Sequence, residues 1–171
     1  MRSVVVSTRV AILAGAVAAL ACAPVSLGIA QAADLSCDGT PGGEAVSVEG
    51  LQACGVRADS TSRAFARAVD AVAFARADNG GGAIGLAQDG AVAAAESETG
   101  RAAAAAIGPD AVSIVSPDPG AIALALSLAK GQSFVGTAEE GVRCDAGPGF
   151  ALNLTTGRFC LSDGVTTWIY P

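Results

Sequence analysis

Ala64-Phe65-Ala66-Arg67-Ala68 is followed nine residues later by the same pentapeptide, Ala73-Phe74-Ala75-Arg76-Ala77. In both copies alanine takes every second position. Successive side chains of a strand point to opposite faces, so a period of two reads as β-structure. The alternation runs on toward the C-terminus. One set stays small: Ala83, Gly85, Ala87; Ala91, Ala93, Ala95; Ala111, Ser113; Ala121, Ala123, Ala125. The offset set is larger: Ile84, Leu86, Val92, Val112, Ile114, Ile122, Leu124, Leu126. Turn signals arrive about every ten residues, at Asn79-Gly80, Asp89-Gly90, Thr99-Gly100, Pro109-Asp110, Pro119-Gly120, Lys130-Gly131 and Glu140-Gly141. Self-similarity at a fixed spacing marks a repeat architecture.

Alanine is the best helix former, and Ala91 to Ala106 is the stretch that most invites a helix. Gly100 interrupts it and Gly108-Pro109 ends it, and helices of one row between glycines are marginal in water. Strands are the better reading. They can wind as a stack or fold back as hairpins, and Asn79-Gly80 and Asp89-Gly90 suit tight hairpin turns. Across such a hairpin at Asp89-Gly90, Leu86 would face Ala93, setting large against small. Winding always in one sense keeps small on small. It gives a large column of Phe65, Phe74, Ile84, Val92, Ala102, Val112 and Ile122. The fold expected is all-β: a β-solenoid or β-roll of about ten-residue strand-turn repeats with disulfide-stapled ends. An antiparallel meander or barrel is the alternative.

The N-terminus reads as an export signal over residues 1–32. Arg2 and Arg9 precede an apolar run from Val10 to Ala23, Pro24 breaks it, and Ala30-Gln31-Ala32 has the small-x-small pattern of a cleavage site. The run is short of the roughly 20 residues that span a bilayer, so no membrane span is expected after cleavage. Ala19-Leu20-Ala21-Cys22 resembles a lipobox weakly and leaves a lipid anchor on Cys22 as a rival. Beyond the signal lie four cysteines, an even count that in an exported chain reads as two disulfides. Four cysteines allow three pairings. With 89 cysteine-free residues between Cys54 and Cys144, local pairing of Cys37 with Cys54 and of Cys144 with Cys160 is the one the spacing suggests. The expected organisation is a signal over 1–32, an N-terminal cap over 33–62, an alanine- and glycine-rich repeat region over 63–141, and a C-terminal cap over 142–171. The last holds a hairpin pattern, Phe150 to Leu154 and Arg158 to Cys160 around Thr156-Gly157, and a final strand from Val165 to Tyr170.

All 16 acidic residues lie beyond residue 32 against eight basic ones there, a net charge of −8. That balance argues against nucleic acid, which demands a basic footprint, and against docking on anionic lipid. The chain has no histidine, which removes the usual catalytic triads and histidine metal sites. Glu96 with Glu98 and Glu139 with Glu140 read as solvated turns, not an acid–base pair. Gly80-Gly81-Gly82 lacks the lysine and context of a phosphate loop, and Asn153-Leu154-Thr155 fits the N-glycosylation sequon but sits in a strand pattern. No catalytic residue and no cofactor are expected. One constellation remains: Asp70, Asp78, Asp89, Glu98, Asp110 and Asp118 fall near the turns of successive rows. Stacked, they would form an acidic ladder along one edge, and Ca²⁺ takes clustered carboxylates.

The Ala-rich leader, Ala53-Cys54-Gly55, the alternating Ala/Gly rows, and Cys144 and Cys160 with Thr166-Thr167-Trp168 resemble a type of small secreted actinobacterial protein grouped under domains of unknown function. The resemblance implies no activity and carries no site residue. The function expected is a non-enzymatic structural or interaction protein, secreted or in the cell envelope. Its partners would be itself or cell-wall components, and a Ca²⁺- or small-ligand-binding module on the acidic edge is the alternative.

Overall fold

The structure, a computed structural model, describes residues 34–171. The export signal read over residues 1–32, with Cys22, lies outside the described residues. The rows of alternating residues form strands, and the beats from Asn79-Gly80 to Lys130-Gly131 form corners, while Glu140-Gly141 lies in the loop that returns β12 antiparallel beside β11. The strands are β1 (Asp34–Gly39), β2 (Glu44–Glu49), β3 (Gln52–Ala58), β4 (Arg63–Val69) and β5 (Val72–Asp78). Then come β6 (Gly82–Gln88), β7 (Val92–Glu98), β8 (Arg101–Ile107), β9 (Val112–Val115) and β10 (Ile122–Ser127). The C-terminal part adds β11 (Gln132–Val135), β12 (Val142–Asp145), β13 (Pro148–Asn153), β14 (Arg158–Asp163) and β15 (Thr167–Tyr170). Ala91 to Ala106, the stretch most inviting to a helix, is β7, a corner and β8.

From β3 to β11 successive strands alternate between two sheets. The front sheet runs β1-β4-β6-β8-β10-β13-β14-β15 and the back sheet β12-β11-β9-β7-β5-β3-β2. In the middle every neighbour is parallel: β4, β6, β8 and β10 in front, β3, β5, β7, β9 and β11 behind. This is a β-solenoid of about four turns. Val72 stacks on Val92, Val92 on Val112 and Val112 on Gln132, so a complete coil takes about twenty residues and the ten-residue row is half of it. Asn79-Gly80 and Asp89-Gly90, which would suit hairpins, make the corners. Asn79, Gly80, Asp89 and Gly90 all have positive φ, a region that glycine enters freely and that Asn and Asp tolerate through local hydrogen bonding. Gly81 N–H donates to the Asp78 carbonyl at 2.9 Å and Ala91 N–H to that of Gln88 at 3.1 Å, closing each corner as a β-turn. Corners also bond to corners one coil away, as Gly90 N–H does to the Asp70 carbonyl at 2.7 Å.

The small set faces in. Ala66, Ala68, Ala75, Ala77, Ala95 and Ala106 are fully buried, and the core around them is alanine with a few valines and the four cysteines. The interior is accordingly thin. Face-to-face sheets ordinarily sit about 10 Å apart, whereas strands of opposite sheets here, β1 and β3 among them, bring Cα atoms within 8 Å. Several inward positions hold serine in place of alanine. Ser113 Oγ donates to the Ala105 carbonyl at 2.6 Å, Ser127 Oγ to Val112 at 2.6 Å and Ser133 Oγ to Leu126 at 2.9 Å.

The large column needs two corrections. Its members divide between the sheets: Phe65 stacks on Ile84 in front, Phe74, Val92 and Val112 lie behind with Val92 and Val112 stacked on Val72, and Ile122 stacks on Arg101. Ala102 is buried and stacks on Ala83, while Ala103 stands outside between Ile84 and Leu124. Ala102 to Ala106 offers no contrast of size, and only the register of the neighbouring strands fixes which alanines point in.

Both ends of the stack close with antiparallel strands: β1 on β4 and β2 on β3 at one end, β12 on β11 and β13, β14 and β15 in series at the other. The two disulfides pair as the spacing suggests, and each crosses from sheet to sheet. Cys37 of β1 joins Cys54 of β3 with Cα atoms 5.8 Å apart, and Cys144 of β12 joins Cys160 of β14 at 5.9 Å. Two such bonds are typical of extracellular proteins. Among the described residues no helix is long and apolar enough to cross a membrane.

Candidate functional site

An interior this thin has no room for large side chains, so the fold turns them outward. None of the chain's seven aromatic residues belongs to the buried core. On the front sheet the outward residues stack in register into two columns. One runs Ile84, Ala103, Leu124, Leu152, Phe159, Tyr170, and beside it runs Leu86, Ala105, Leu126, Phe150, Leu161, Trp168. Twelve positions on six adjacent strands thus carry no charge and no polar group beyond the Tyr hydroxyl and the Trp ring nitrogen. Ile84 and Leu161 are each 46 % exposed, and Phe159 stacks on Tyr170 with ring centroids 5.5 Å apart. At about 4.8 Å per strand the two columns cover roughly 25–30 Å by 12–14 Å. A patch of that size matches the largest apolar patch of a typical monomer, about 300–600 Å², which is often functional.

Charge rims the patch at its β1 end. Arg67 donates to both carboxylate oxygens of Asp34, at 2.8 and 2.6 Å, and that guanidinium holds the Asp34 carboxyl below the ordinary range. Arg101 lies across Gly82, where a Cβ would meet its Cδ at 2.9 Å, and donates to the carbonyls of Gly80 at 3.2 Å and Gly100 at 3.0 Å. The back sheet's outer face is apolar in part, through Val72, Phe74, Val92, Ile114 and Phe134. It is broken by Arg76, Asp78, Glu96 and Glu98 on one side, and by Arg143, whose guanidinium carbon sits 5.4 Å from the Phe134 ring centroid.

The acidic ladder also needs correction. Because a ten-residue row is half a coil, alternate corners fall on opposite edges of the solenoid. Asp70, Asp89 and Asp110 lie at corners leading from front to back; Asp78, Glu98 and Asp118 lie at those leading from back to front. Two short rows replace one long one. Asp70, Asp89 and Asp110 take positive φ as turn residues. In the second row Asp78 is tied to Arg76 at 2.8 Å, Asp118 Oδ2 accepts the Ala138 N–H at 2.6 Å, and Asp78 stacks beside Glu98. A small recess of about 150 Å³ opens there, between Arg76, Asp78, Glu96 and Glu98 and the prolines Pro117 and Pro119. Among the described residues no three His, Cys, Asp or Glu side chains stand close enough to hold a metal ion. Glu139 and Glu140 sit on the loop after β11, where Glu140 caps its own turn by accepting from the Thr137 N–H at 3.0 Å. Asn153, of the glycosylation-like triplet, is buried and accepts from the Thr155 and Thr156 N–H groups at 3.1 Å.

The outward patch was carried in the sequence by the large set of the alternation. The side of the sheet that set would occupy was not fixed there, so its meaning as a surface was missed. Fold and face together define a disulfide-stapled, two-sheeted β-solenoid with an alanine interior and an apolar outer sheet. The chain belongs to a family of unknown function, DUF6764, whose model matches residues 1–163. No curated protein and no solved structure matches it.

Proposed function

We propose that the protein is a non-enzymatic component of the cell envelope or medium, exported and then acting by apolar contact between its front sheet and another exported or cell-wall component. The observation that supports the reading is the unbroken pair of columns from Ile84 and Leu86 to Tyr170 and Trp168. Leaving so much apolar surface in water costs about 25 cal/mol per Å², and covering it is the favourable event the fold offers. Among the described residues the four cysteines are paired in disulfides, and several carboxylates and hydroxyls, those of Asp59, Asp118, Glu140 and Ser113 among them, are engaged with the chain's own backbone.

The test is co-sedimentation of the disulfide-intact protein with purified cell-wall fragments, beside a Leu124→Lys/Leu126→Lys variant whose changes point outward. Binding by the native chain that falls at least tenfold in the variant, with the circular dichroism of both alike, is the expected result. Equal retention of both would remove the face from the function. Turnover of a peptide, ester or glycan that survives purification and is lost with one carboxylate substitution would replace the reading with an enzymatic one.

A further inference from the structure

Among the described residues the free edges of the stack are four strands: β1 and β15 in front, β2 and β12 behind. Exposed strand edges invite pairing with other chains, and charges on them prevent it. β1 carries Asp34 and Asp38, β2 carries Glu44 and Glu49, and β12 carries Arg143 and Asp145, all exposed. β15, Thr167-Trp168-Ile169-Tyr170, carries no charge. Trp168 is 50 %, Ile169 60 % and Tyr170 59 % exposed. The strand defended least is also the most apolar.

Its backbone is set for one mode of pairing. Asp163 N–H donates to the Thr166 carbonyl at 3.2 Å, and beyond it Ser162 stands opposite Thr167 and Leu161 opposite Trp168. Hydrogen-bonded and non-bonded pairs alternate along an antiparallel ladder. The peptide groups of Trp168 and Tyr170 therefore turn to β14, and those of Thr167 and Ile169 turn to the open edge.

We infer that β15 is the seat of a homodimer in which two copies pair antiparallel about a twofold axis at Ile169. In that register each Ile169 N–H donates to the Ile169 carbonyl of the other copy, and each Thr167 N–H donates to the other Pro171 carbonyl. Pro171, which has no N–H, leaves no donor stranded. Trp168 then stands opposite Tyr170 of the other copy on the outer face, where directly opposed aromatic pairs stabilise an antiparallel ladder. The two apolar faces join across the axis. Association stops at two, because an isologous contact closes on itself and the remaining edges are charged. Covering the exposed parts of these side chains buries on the order of a few hundred Å² per copy, at the low end of specific interfaces, so the dimer is reversible. The backbone edge carries this inference, which does not rest on the face reading above. It concerns a strand beyond residue 163, where the family match ends.

Sedimentation velocity over a wide concentration range, read beside the emission of Trp168, the only tryptophan, tests it. The native protein is expected to pass from monomer to dimer, with a blue shift of emission in step. Ile169→Lys is expected to stay monomeric with unchanged circular dichroism. Leu124→Lys/Leu126→Lys is expected to dimerise as the native chain does. Opposed residues of a hydrogen-bonded pair have Cα atoms about 5.5 Å apart, within disulfide reach. Ile169→Cys is therefore expected to cross-link to itself under mild oxidation and Trp168→Cys is not. A monomer at every concentration, or an Ile169→Lys variant that dimerises normally, overturns the inference. Loss of the dimer in the face variant alone assigns the contact to the face instead, and cross-linking through Trp168→Cys alone overturns the register.

Discussion

Gly85 tests the alanine interior most directly. It lies in β6 between Ala66 and Ala104, and its φ is one that any residue can adopt, so backbone freedom does not explain it. A Cβ built there would lie 2.4 Å from the carbonyl oxygen of Phe74 and 3.1 Å from its carbonyl carbon, across the interior in β5. Those are backbone atoms held in a parallel ladder, and they cannot swing aside. Gly→Ala in a tolerant site stabilises by about 0.4–1 kcal/mol through the unfolded chain. Overpacking a closed core costs about 1–3 kcal/mol. The second effect wins, and Gly85→Ala is expected to lose about 1–2 kcal/mol, near 4 °C of melting temperature per kcal/mol at this size. Gly82→Ala, on the same strand but facing out, is the control. Its Cβ would meet only the flexible end of Arg101, and a change within about 0.5 kcal/mol is expected. Urea unfolding with the disulfides intact measures both. A Gly85→Ala variant as stable as Gly82→Ala would mean that the sheets can part, and the account of the thin interior would fail.

Replacing Cys37 and Cys54 together by alanine is expected to cost about 3 kcal/mol, the chain-entropy value for a loop of this length, and the Cys144–Cys160 pair the same; calorimetry of the two double variants measures it. Ser97 is buried with its hydroxyl unpaired in a column that holds Ala77 one coil away, so Ser97→Ala is expected to be neutral or stabilising by up to about 1 kcal/mol; a clear loss in urea unfolding would show that the hydroxyl has a partner. Asp59 is held well below the ordinary carboxylate range by the Ser62 hydroxyl and by the backbone N–H groups of Asn79 and Thr61. A depressed carboxylate stabilises above its unfolded value near 3.9 and loses that contribution as pH falls through its folded value. Asp59→Ala should therefore lower the melting temperature at pH 7, by a margin that shrinks below about pH 4. Millimolar Ca²⁺ is expected to leave the melting curve unchanged, since the six turn carboxylates lie on two edges; a rise with added metal, reversed by chelator, would restore the metal-binding alternative through mass action.

Strand positions, corner positions and both disulfides were legible because each depends on neighbours in sequence. Glycine, asparagine and aspartate mark where the chain can enter positive φ, alanine alternation marks strands, and cysteines 16 or 17 residues apart meet within one end of the stack. What depends on winding was less so. The edge on which Asp78 falls relative to Asp70 follows from a row's being half a coil, and no single row contains that fact. The parity of Ala102 to Ala106 follows from β6 and β10 on either side, since five identical residues carry no parity of their own. The association edge was hidden for the same reason: Trp168 and Tyr170 read as part of a closing strand until the sheet order left β15 with one neighbour.

Which set faces inward follows from the corners the folded chain makes, and it governs everything on the surface. Only Asp70 and Ala71 separate β4 from β5, and Asn79 to Gly81 separate β5 from β6. A β-turn holds its first and fourth Cα atoms within about 7 Å, so corners this short bring the strand ends they join to less than the usual sheet spacing of about 10 Å. Two sheets tied together at both edges by such corners cannot admit leucine or phenylalanine between them. The alanine set must then point in, and the phenylalanines, leucines and isoleucines must point out, whatever water prefers. An exposed apolar sheet is thus the direct consequence of the short corners that tie β4 to β8, where only two or three residues separate successive strands. A variant with two extra residues in the Asp89-Gly90 corner and a matching pair in the corner at Pro109-Asp110 relaxes that constraint. In it Ala104→Val is expected to cost less than the same substitution in the native frame, a comparison that urea unfolding of the four proteins makes directly. An equal cost in both frames would show that something other than corner length holds the sheets together.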